Sequence, residues 1–232
     1  MSTNDVLNLQ DVEFGYGKSD TLIHVDALHI KRGESVFLRG PSGSGKSTLL
    51  GLIGGVLRPR SGRIEICGTD ITTLSSGQRD KIRADHLGII FQQLNLLPYL
   101  NIIQNVTLPC RFSAARMLRA SQDKSINQTA HELVGDLGID NVLVDRKVGK
   151  LSIGQQQRVA VARALIGGPD LIIADEPTSA LDSENRDRFI ELLDTQRKRF
   201  ECSLLFVSHD LSLAKHFDRS IDLTALNKVD VS

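Results

Sequence analysis

Apolar and polar residues alternate along Val6-Leu7-Asn8-Leu9-Gln10-Asp11-Val12, the period of a strand with one buried face. Residues 21–30 carry a looser version of the same pattern. Ser35-Val36-Phe37-Leu38-Arg39 forms a short run that stops at Gly40; Gly43 and Gly45 follow, and Lys46 to Ile53 reads as a helix. Two later runs, Leu171-Ile172-Ile173-Ala174 and Leu204-Leu205-Phe206-Val207, are apolar on both faces, as parallel strands covered by helices must be. Between them Phe189, Leu192, Leu193 and Gln196 share one helical stripe. Strand, helix and strand in that order predict an α/β fold. The middle of the chain differs. From about Leu94 to Gly149 no buried-strand run occurs, whereas Ile126, Ala130, Leu133, Val134 and Leu137 fall on one helical face. The pattern predicts a helical insert with loops near 113–125 and 140–150, inside one α/β core that resumes near Ser152. A last strand is expected near Arg219–Leu223, leaving no room before Ser232 for a regulatory domain.

Composition narrows the class. Hydrophobic residues make up 41% and charged residues 24% of 232, which fits a globular chain and excludes disorder, collagen or coiled coil as a whole-chain description. Lys+Arg and Asp+Glu are both 28, so nothing in the charge total suggests the basic surface that nucleic-acid binding rests on, and no nucleic-acid partner is expected. No apolar run approaches the roughly 18–20 residues of a membrane span. Met1 to Asp5 has neither a basic nor an apolar leader segment, so no secretory signal is expected. Cys67, Cys110 and Cys202 are odd in number and far apart, the usage of a reducing cytosol rather than of a disulfide or zinc framework.

The chemistry begins at Gly40-Pro41-Ser42-Gly43-Ser44-Gly45-Lys46-Ser47, a complete G-x-x-x-x-G-K-[ST] between a predicted strand and a predicted helix. Its glycines let backbone N–H groups curl around phosphate oxygens, and the helix directs its positive end at the same charge. Lys46 is expected on the β- and γ-phosphates and Ser47 on Mg²⁺. Hydrolysis needs a metal anchor and a group that orients water. Asp175 and Glu176 end a buried run, where ligands of α/β sheets bind. Asp175 is therefore the candidate for holding Mg²⁺ and Glu176 for accepting a proton from the attacking water.

Six elements in this order resemble the ATP-binding cassette ATPases over nearly the whole chain. They are Gly40–Thr48, Gln92 in Ile90-Phe91-Gln92-Gln93, Leu151-Ser152-Ile153-Gly154-Gln155, Asp175-Glu176-Pro177-Thr178, Ser179-Ala180-Leu181-Asp182 and Ser208-His209-Asp210. The resemblance implies a P-loop NTPase (RecA-like) core with an N-terminal antiparallel β subdomain over 1–93 and 151–232, and an α-helical subdomain over 94–150. It implies Mg²⁺-dependent ATP hydrolysis by a homodimer that buries two nucleotides, with Ser152, Gly154, Gln155 and Asp182 acting across the dimer. It implies further that His209 contacts the γ-phosphate, that Gln92 senses Mg²⁺ and couples to a membrane partner, and that Tyr16 stacks on adenine. Phe14 lies two residues away, so core packing stays open for Tyr16. Two departures stand out. Ile153 occupies a signature position where glycine is commonest, which bears on turnover and coupling. Leu74-Ser75-Ser76-Gly77-Gln78 also looks like a signature, but it precedes Gln92 and lacks the following Arg-Val-Ala-Val-Ala-Arg-Ala-Leu helix; it reads as a polar helix cap.

Ile89–Pro98 and Asn105–Pro109 are similar to the ATPases of lipoprotein release and macrolide export (the LolD/MacB/DevA-like group), which serve a permease with few membrane helices and a large extracytoplasmic part. Leu94, Leu96, Leu97 and Leu100 either receive a permease helix or pack the insert internally. The expected location is the inner face of the cell membrane, held by that permease. Two alternatives remain at this stage: a cassette that signals through a membrane partner without transport, and a cassette that acts on nucleic acid or ribosomes.

Overall fold

The computed structural model describes residues 4–17, 20–179 and 181–229. The first half of the chain forms β1 (Asp5–Phe14), β2 (Ile23–Lys31), β3 (Ser35–Arg39), α1 (Lys46–Ile53), β4 (Ser61–Ile66), β5 (Thr69–Asp70), α2 (Ser76–His86) and β6 (Leu87–Ile90). Next come α3 (Ile102–Thr107), α4 (Ala114–Ala120), α5 (Ile126–Asp136), α6 (Ile153–Leu165), β7 (Leu171–Asp175) and α7 (Ser183–Arg199). The chain finishes with β8 (Ser203–Ser208), β9 (Arg219–Asp222) and α8 (Leu223–Leu226). These elements fall into two compact units, residues 1–86 with 203–232, and residues 87–202.

In the first unit, β1 pairs antiparallel with β2 and β4, and β4 with β5. The alternation read from the sequence is the buried face of this sheet: Leu7, Leu9 and Val12 of β1, Val25 and Ile30 of β2, and Ile64 and Ile66 of β4. β3 instead runs parallel to β8 and β9, and its Val36, Phe37 and Leu38 are fully buried. Phe37 and Phe206 stack with ring centroids 6.3 Å apart, and Phe217 lies 5.4 Å from Phe37. The strand starts are locked by polar bonds. Asp218 accepts from the Ser35 N–H at 2.8 Å and hydroxyl at 2.7 Å, and Arg219 Nε donates to Glu34 at 2.7 Å.

In the second unit, β6 and β7 pair in parallel, Leu87 against Leu171 through Ile90 against Ala174. α6 packs on β6, α3 and α5, burying Val159 through Leu165. Residues 94–150 hold α3, α4, α5 and short 3₁₀ turns.

The predicted loop at 113–125 is overturned by α4. Ser113 caps it, accepting from the Arg116 N–H at 3.0 Å, and Ala114, Ala115, Met117 and Leu118 are strong helix formers. The pattern hides this helix because its inward face is carried by an arginine. Arg116 is buried, and its guanidinium donates to the carbonyls of Ile166 (2.8 Å) and Ala164 (2.6 Å), closing the open carbonyl end of α6, and to that of Leu87 (3.2 Å) at the start of β6. Burial lowers its pKa to about 10. β4, β5 and α2 also escape the hydrophobic pattern: α2 buries no residue and so has no apolar stripe to read. Among the described residues no helix is long and apolar enough to cross a membrane.

Candidate nucleotide site

The phosphate loop leaves β3 and enters α1. Arg39, the last residue of β3, is paired with Ser208 at the end of β8 and with Asp222 at the end of β9. Gly40 and His209 therefore leave neighbouring parallel strands at their carboxyl ends, within one unit. Gly45 is the N-cap of α1 at φ 92°, and a Cβ on it would come 2.7 Å from Ile23 Cδ1, so only glycine fits. Among the described residues no side chain caps α1. Gly43 is also left-handed, at φ 80°. Lys46 Nζ donates to the carbonyls of Gly40 at 2.7 Å and Pro41 at 3.0 Å, stretching the ammonium along the loop. Ser44 Oγ is buried without a hydrogen-bond partner among the described residues. A buried hydroxyl in that condition fits a loop shaped for an anion. Ser42 and Ser47 are exposed and Thr48 is buried.

Tyr16 is 75% exposed and makes an edge contact with the buried ring of Phe14, centroids 5.1 Å apart. That separates the two aromatics: Phe14 belongs to the core and Tyr16 presents a free ring face. His209 is exposed, and Asp210 caps the following 3₁₀ turn, accepting from Ser212 N–H at 3.0 Å.

The second unit carries the carboxylates. With Ile90 paired to Ala174, Gln92 follows the carboxyl end of β6, and Asp175 and Glu176 lie at and just past that of the adjoining β7. Gln92 Nε2 lies 3.5 Å from Ser179 Oγ in the loop after Glu176. Glu176 is buried and left-handed at φ 47°, a strained backbone for a glutamate and of the kind that functional sites retain. Gln92 and Asp175 offer an amide oxygen and a carboxylate, hard oxygen donors of the kind that Mg²⁺ takes.

Ser152 is the N-cap of α6 and shares a capping box with Gln155: Ser152 N–H to Gln155 Oε1 at 3.0 Å, Gln155 N–H to Ser152 Oγ at 3.3 Å. Ile153 is 59% exposed, and a Cβ at Gly154 would meet no atom within 4 Å. Ser75 and Gln78 repeat the capping bonds at the start of α2, which agrees with reading the earlier signature-like stretch as a helix cap. Asp182 is the N-cap of α7; hydrogen bonds from the Asn185 backbone and side chain, both 2.9 Å, hold its carboxyl below the usual range. Ala180 lies outside the described residues.

Two residues escape motif reading. Gln157 of α6 donates from Nε2 to the Pro177 carbonyl at 3.1 Å, tying α6 to the segment after Glu176. Arg163, further along α6, donates to the carbonyls of Leu94 and Asn95. Both lie in the run that follows the signature, which marks the helix but not the carbonyls these side chains reach.

The sequence family described as "ABC transporter" matches residues 23–179. The chain belongs to the ABC transporter family. It matches the ATP-binding cassettes of that family. The chain is 40% identical over 221 residues to the macrolide export ATP-binding/permease protein MacB of Haemophilus ducreyi, covering 93% of this chain and 30% of that protein. It thus spans about a third or less of the MacB proteins it matches. It is 36% identical over 221 residues to the uncharacterized ABC transporter ATP-binding protein MJ0796 of Methanocaldococcus jannaschii, covering 94% of this chain and 93% of that one. A solved dimer of the MJ0796 cassette, in a post-hydrolysis state bound to ADP and Pi, superposes with a TM-score of 0.79 at 34% identity over 93% of both chains. The α/β cassette fold and the macrolide-export resemblance expected from the sequence agree with these findings.

Proposed function

We propose that this cassette binds ATP with Mg²⁺, closes with a second copy around two nucleotides, hydrolyses them, and drives a separate membrane permease of the macrolide-export type. The observation that carries the reading is the phosphate loop: a left-handed glycine N-cap, an α1 start without a side-chain cap, Lys46 laid along the loop, and a buried Ser44 hydroxyl in need of a partner. In this reading Gly40, Ser42, Gly43, Ser44, Gly45, Lys46, Ser47 and Thr48 hold the phosphates. Tyr16 stacks on the base, its exposed face supporting that role. Ser47, Gln92 and Asp175 hold Mg²⁺, which neutralises phosphate charge when bound. Glu176 takes the proton of the attacking water, and His209 orients the γ-phosphate end.

Ser152, Gly154, Gln155 and Asp182 serve the partner copy's nucleotide. The open surface over Gly154, where among the described residues a Cβ would meet no atom within 4 Å, supports this assignment. Residues 94–150 are the helical subdomain that meets the permease. Leu94, Leu96, Leu97 and Leu100 are each half-buried, which supports a shallow apolar seat there. The permease has few membrane helices and a large extracytoplasmic domain, and it holds the cassette at the inner face of the membrane.

The test is Glu176→Gln in the full chain. Phosphate release should fall by about 100-fold or more, the scale of a lost general base, while ATP is still bound. Undiminished turnover would remove Glu176 from its role. Tagged Glu176→Gln, solubilised gently from membranes with Mg²⁺-ATP, should bring the permease with it. Recovery of ribosomes or DNA instead would overturn the transport reading.

A further inference from the structure

The loop that follows β6 has an unusual backbone. Leu94 N–H donates to the Phe91 carbonyl at 2.9 Å and Asn95 N–H to the Gln93 carbonyl at 2.6 Å, so the chain turns twice within five residues. Leu94 and Asn95 are then both left-handed, at φ 56° and 46°. Single residues visit that region; two in succession, one of them a leucine, are strained because Cβ crowds the following carbonyl. Local sequence supplies no glycine to relieve it. Something outside the loop must hold it, and the candidate is a single side chain. Arg163 is buried, and its fork donates from Nη1 to the Asn95 carbonyl and from Nη2 to the Leu94 carbonyl, each at 2.6 Å.

We propose that Arg163 is a positioning residue: it holds the loop that carries Gln92, and so ties the placement of Gln92 to the helix that begins with the signature. The geometry is specific to arginine. A planar fork can meet two adjacent oxygens at once, whereas a lysine ammonium is a point donor. Rotating either Leu94 or Asn95 out of the left-handed region redirects its carbonyl and strips the fork of an acceptor. Gln92 sits between two fixed points, the end of β6 at Ile90 and this clamp, and lies 3.5 Å from Ser179 Oγ. Arg163 lies on the same rigid helix as Ser152 and Gly154. A shift of α6 along its axis would therefore be felt at Gln92. The inference rests on the reading of Gln92 as the Mg²⁺-sensing residue.

The experiment compares the full chain with Gln92→Ala, Arg163→Lys and the double variant, measuring phosphate release against Mg²⁺ at fixed ATP and against ATP at saturating Mg²⁺. Arg163→Lys should lower kcat by about tenfold or more, raise the Mg²⁺ needed for half-maximal rate, and leave the KM for ATP within about twofold, because a misplaced group costs rate rather than substrate binding. Gln92→Ala should do the same, and the double variant should be no worse than Gln92→Ala, the mark of residues acting as a unit. Wild-type Mg²⁺ dependence in Arg163→Lys, or losses that multiply in the double variant, would overturn the clamp. Wild-type behaviour of Gln92→Ala would instead overturn the Gln92 reading and the clamp with it.

Hydrogen exchange carries the test independently of activity and of whether Arg163→Lys or Arg163→Gln folds. In the unaltered chain the amides of Leu94 and Asn95 should be protected. In a folded Arg163 variant, exchange should rise in 91–95 and not elsewhere. Unprotected amides there in the unaltered chain would overturn the proposal.

Discussion

Gly154 has room for a side chain and carries none. Among the described residues a Cβ would meet nothing within 4 Å, and its φ is outside the left-handed region. In a helix that absence costs about 0.5–1 kcal/mol relative to alanine. Gly77 of α2 is equally open, so the reason at Gly154 comes from the proposed reading, in which a second copy's nucleotide approaches the start of α6. Gly154→Ala should therefore raise the unfolding free energy by up to about 1 kcal/mol in urea while lowering ATP turnover by tenfold or more, a dissociation that follows from helix propensity on one side and close approach on the other. Turnover equal to wild type would remove the close-approach argument. Ser152→Ala should lose about 1 kcal/mol through the capping box alone. These residues were legible in the sequence because their chemistry is tied to backbone contexts that the pattern also predicts: Gly45 between strand and helix, Asp175 and Glu176 at a strand end. Arg116 and Arg163 were not legible. A hydropathy pattern treats arginine as a solvated charge, and nothing in linear spacing says that a guanidinium will find backbone carbonyls, four for Arg116 and two for Arg163.

At the scale of elements, the capping box recurs. Asn101 with Gln104, Ser125 with Gln128 and Ser152 with Gln155 all exchange side-chain and backbone bonds at a helix start. The serine and glutamine of the signature are thus accounted for by helix initiation, and Gly154, absent from α5, has its counterpart at Gly77 of α2; what sets α6 apart from α2 is the buried helix that follows. That is why a signature-like stretch before α2 misleads by motif yet resolves by context. The opposite end of α6 depends on α4. With the carbonyls of Leu87, Ala164 and Ile166 all served by Arg116, Arg116→Met should cost about 3 kcal/mol in guanidinium unfolding, because buried acceptors are left unpaired although the methionine fills the space. The folded fraction should keep its KM for ATP. A loss under about 1 kcal/mol would mean that water or a rearranged side chain serves those carbonyls equally well. The sequence missed α4 for the same reason that it matters: the helix is anchored by polar bonds rather than by an apolar stripe.

For the molecule as a whole, the proposed reading divides the nucleotide's contacts between one chain and a second copy, and that division has a thermodynamic signature. A ligand bound by one chain alone stabilises it by an amount set by ligand concentration, about 2.7 kcal/mol at a hundred times Kd. In a chain of 232 residues that is a rise in Tm of about 5–10 °C, at about 2–4 °C per kcal/mol. Such a rise does not depend on protein concentration. A nucleotide closed between two copies adds a term that does. Glu176→Gln with Mg²⁺-ATP should therefore show a Tm that climbs as protein concentration is raised tenfold, measured by differential scanning fluorimetry. Lys46→Met in the same background should lose the whole shift, because the loop can no longer hold the phosphates. Gly154→Ala in that background should keep the constant part and lose the part that climbs, because its own loop is intact while its signature no longer admits the partner's nucleotide. With equal numbers of acidic and basic residues, long-range charge neither drives nor opposes the pairing, so the climb should survive moderate salt. A shift independent of protein concentration in Glu176→Gln would confine nucleotide binding to the single chain and leave the open surface over Gly154 to another partner.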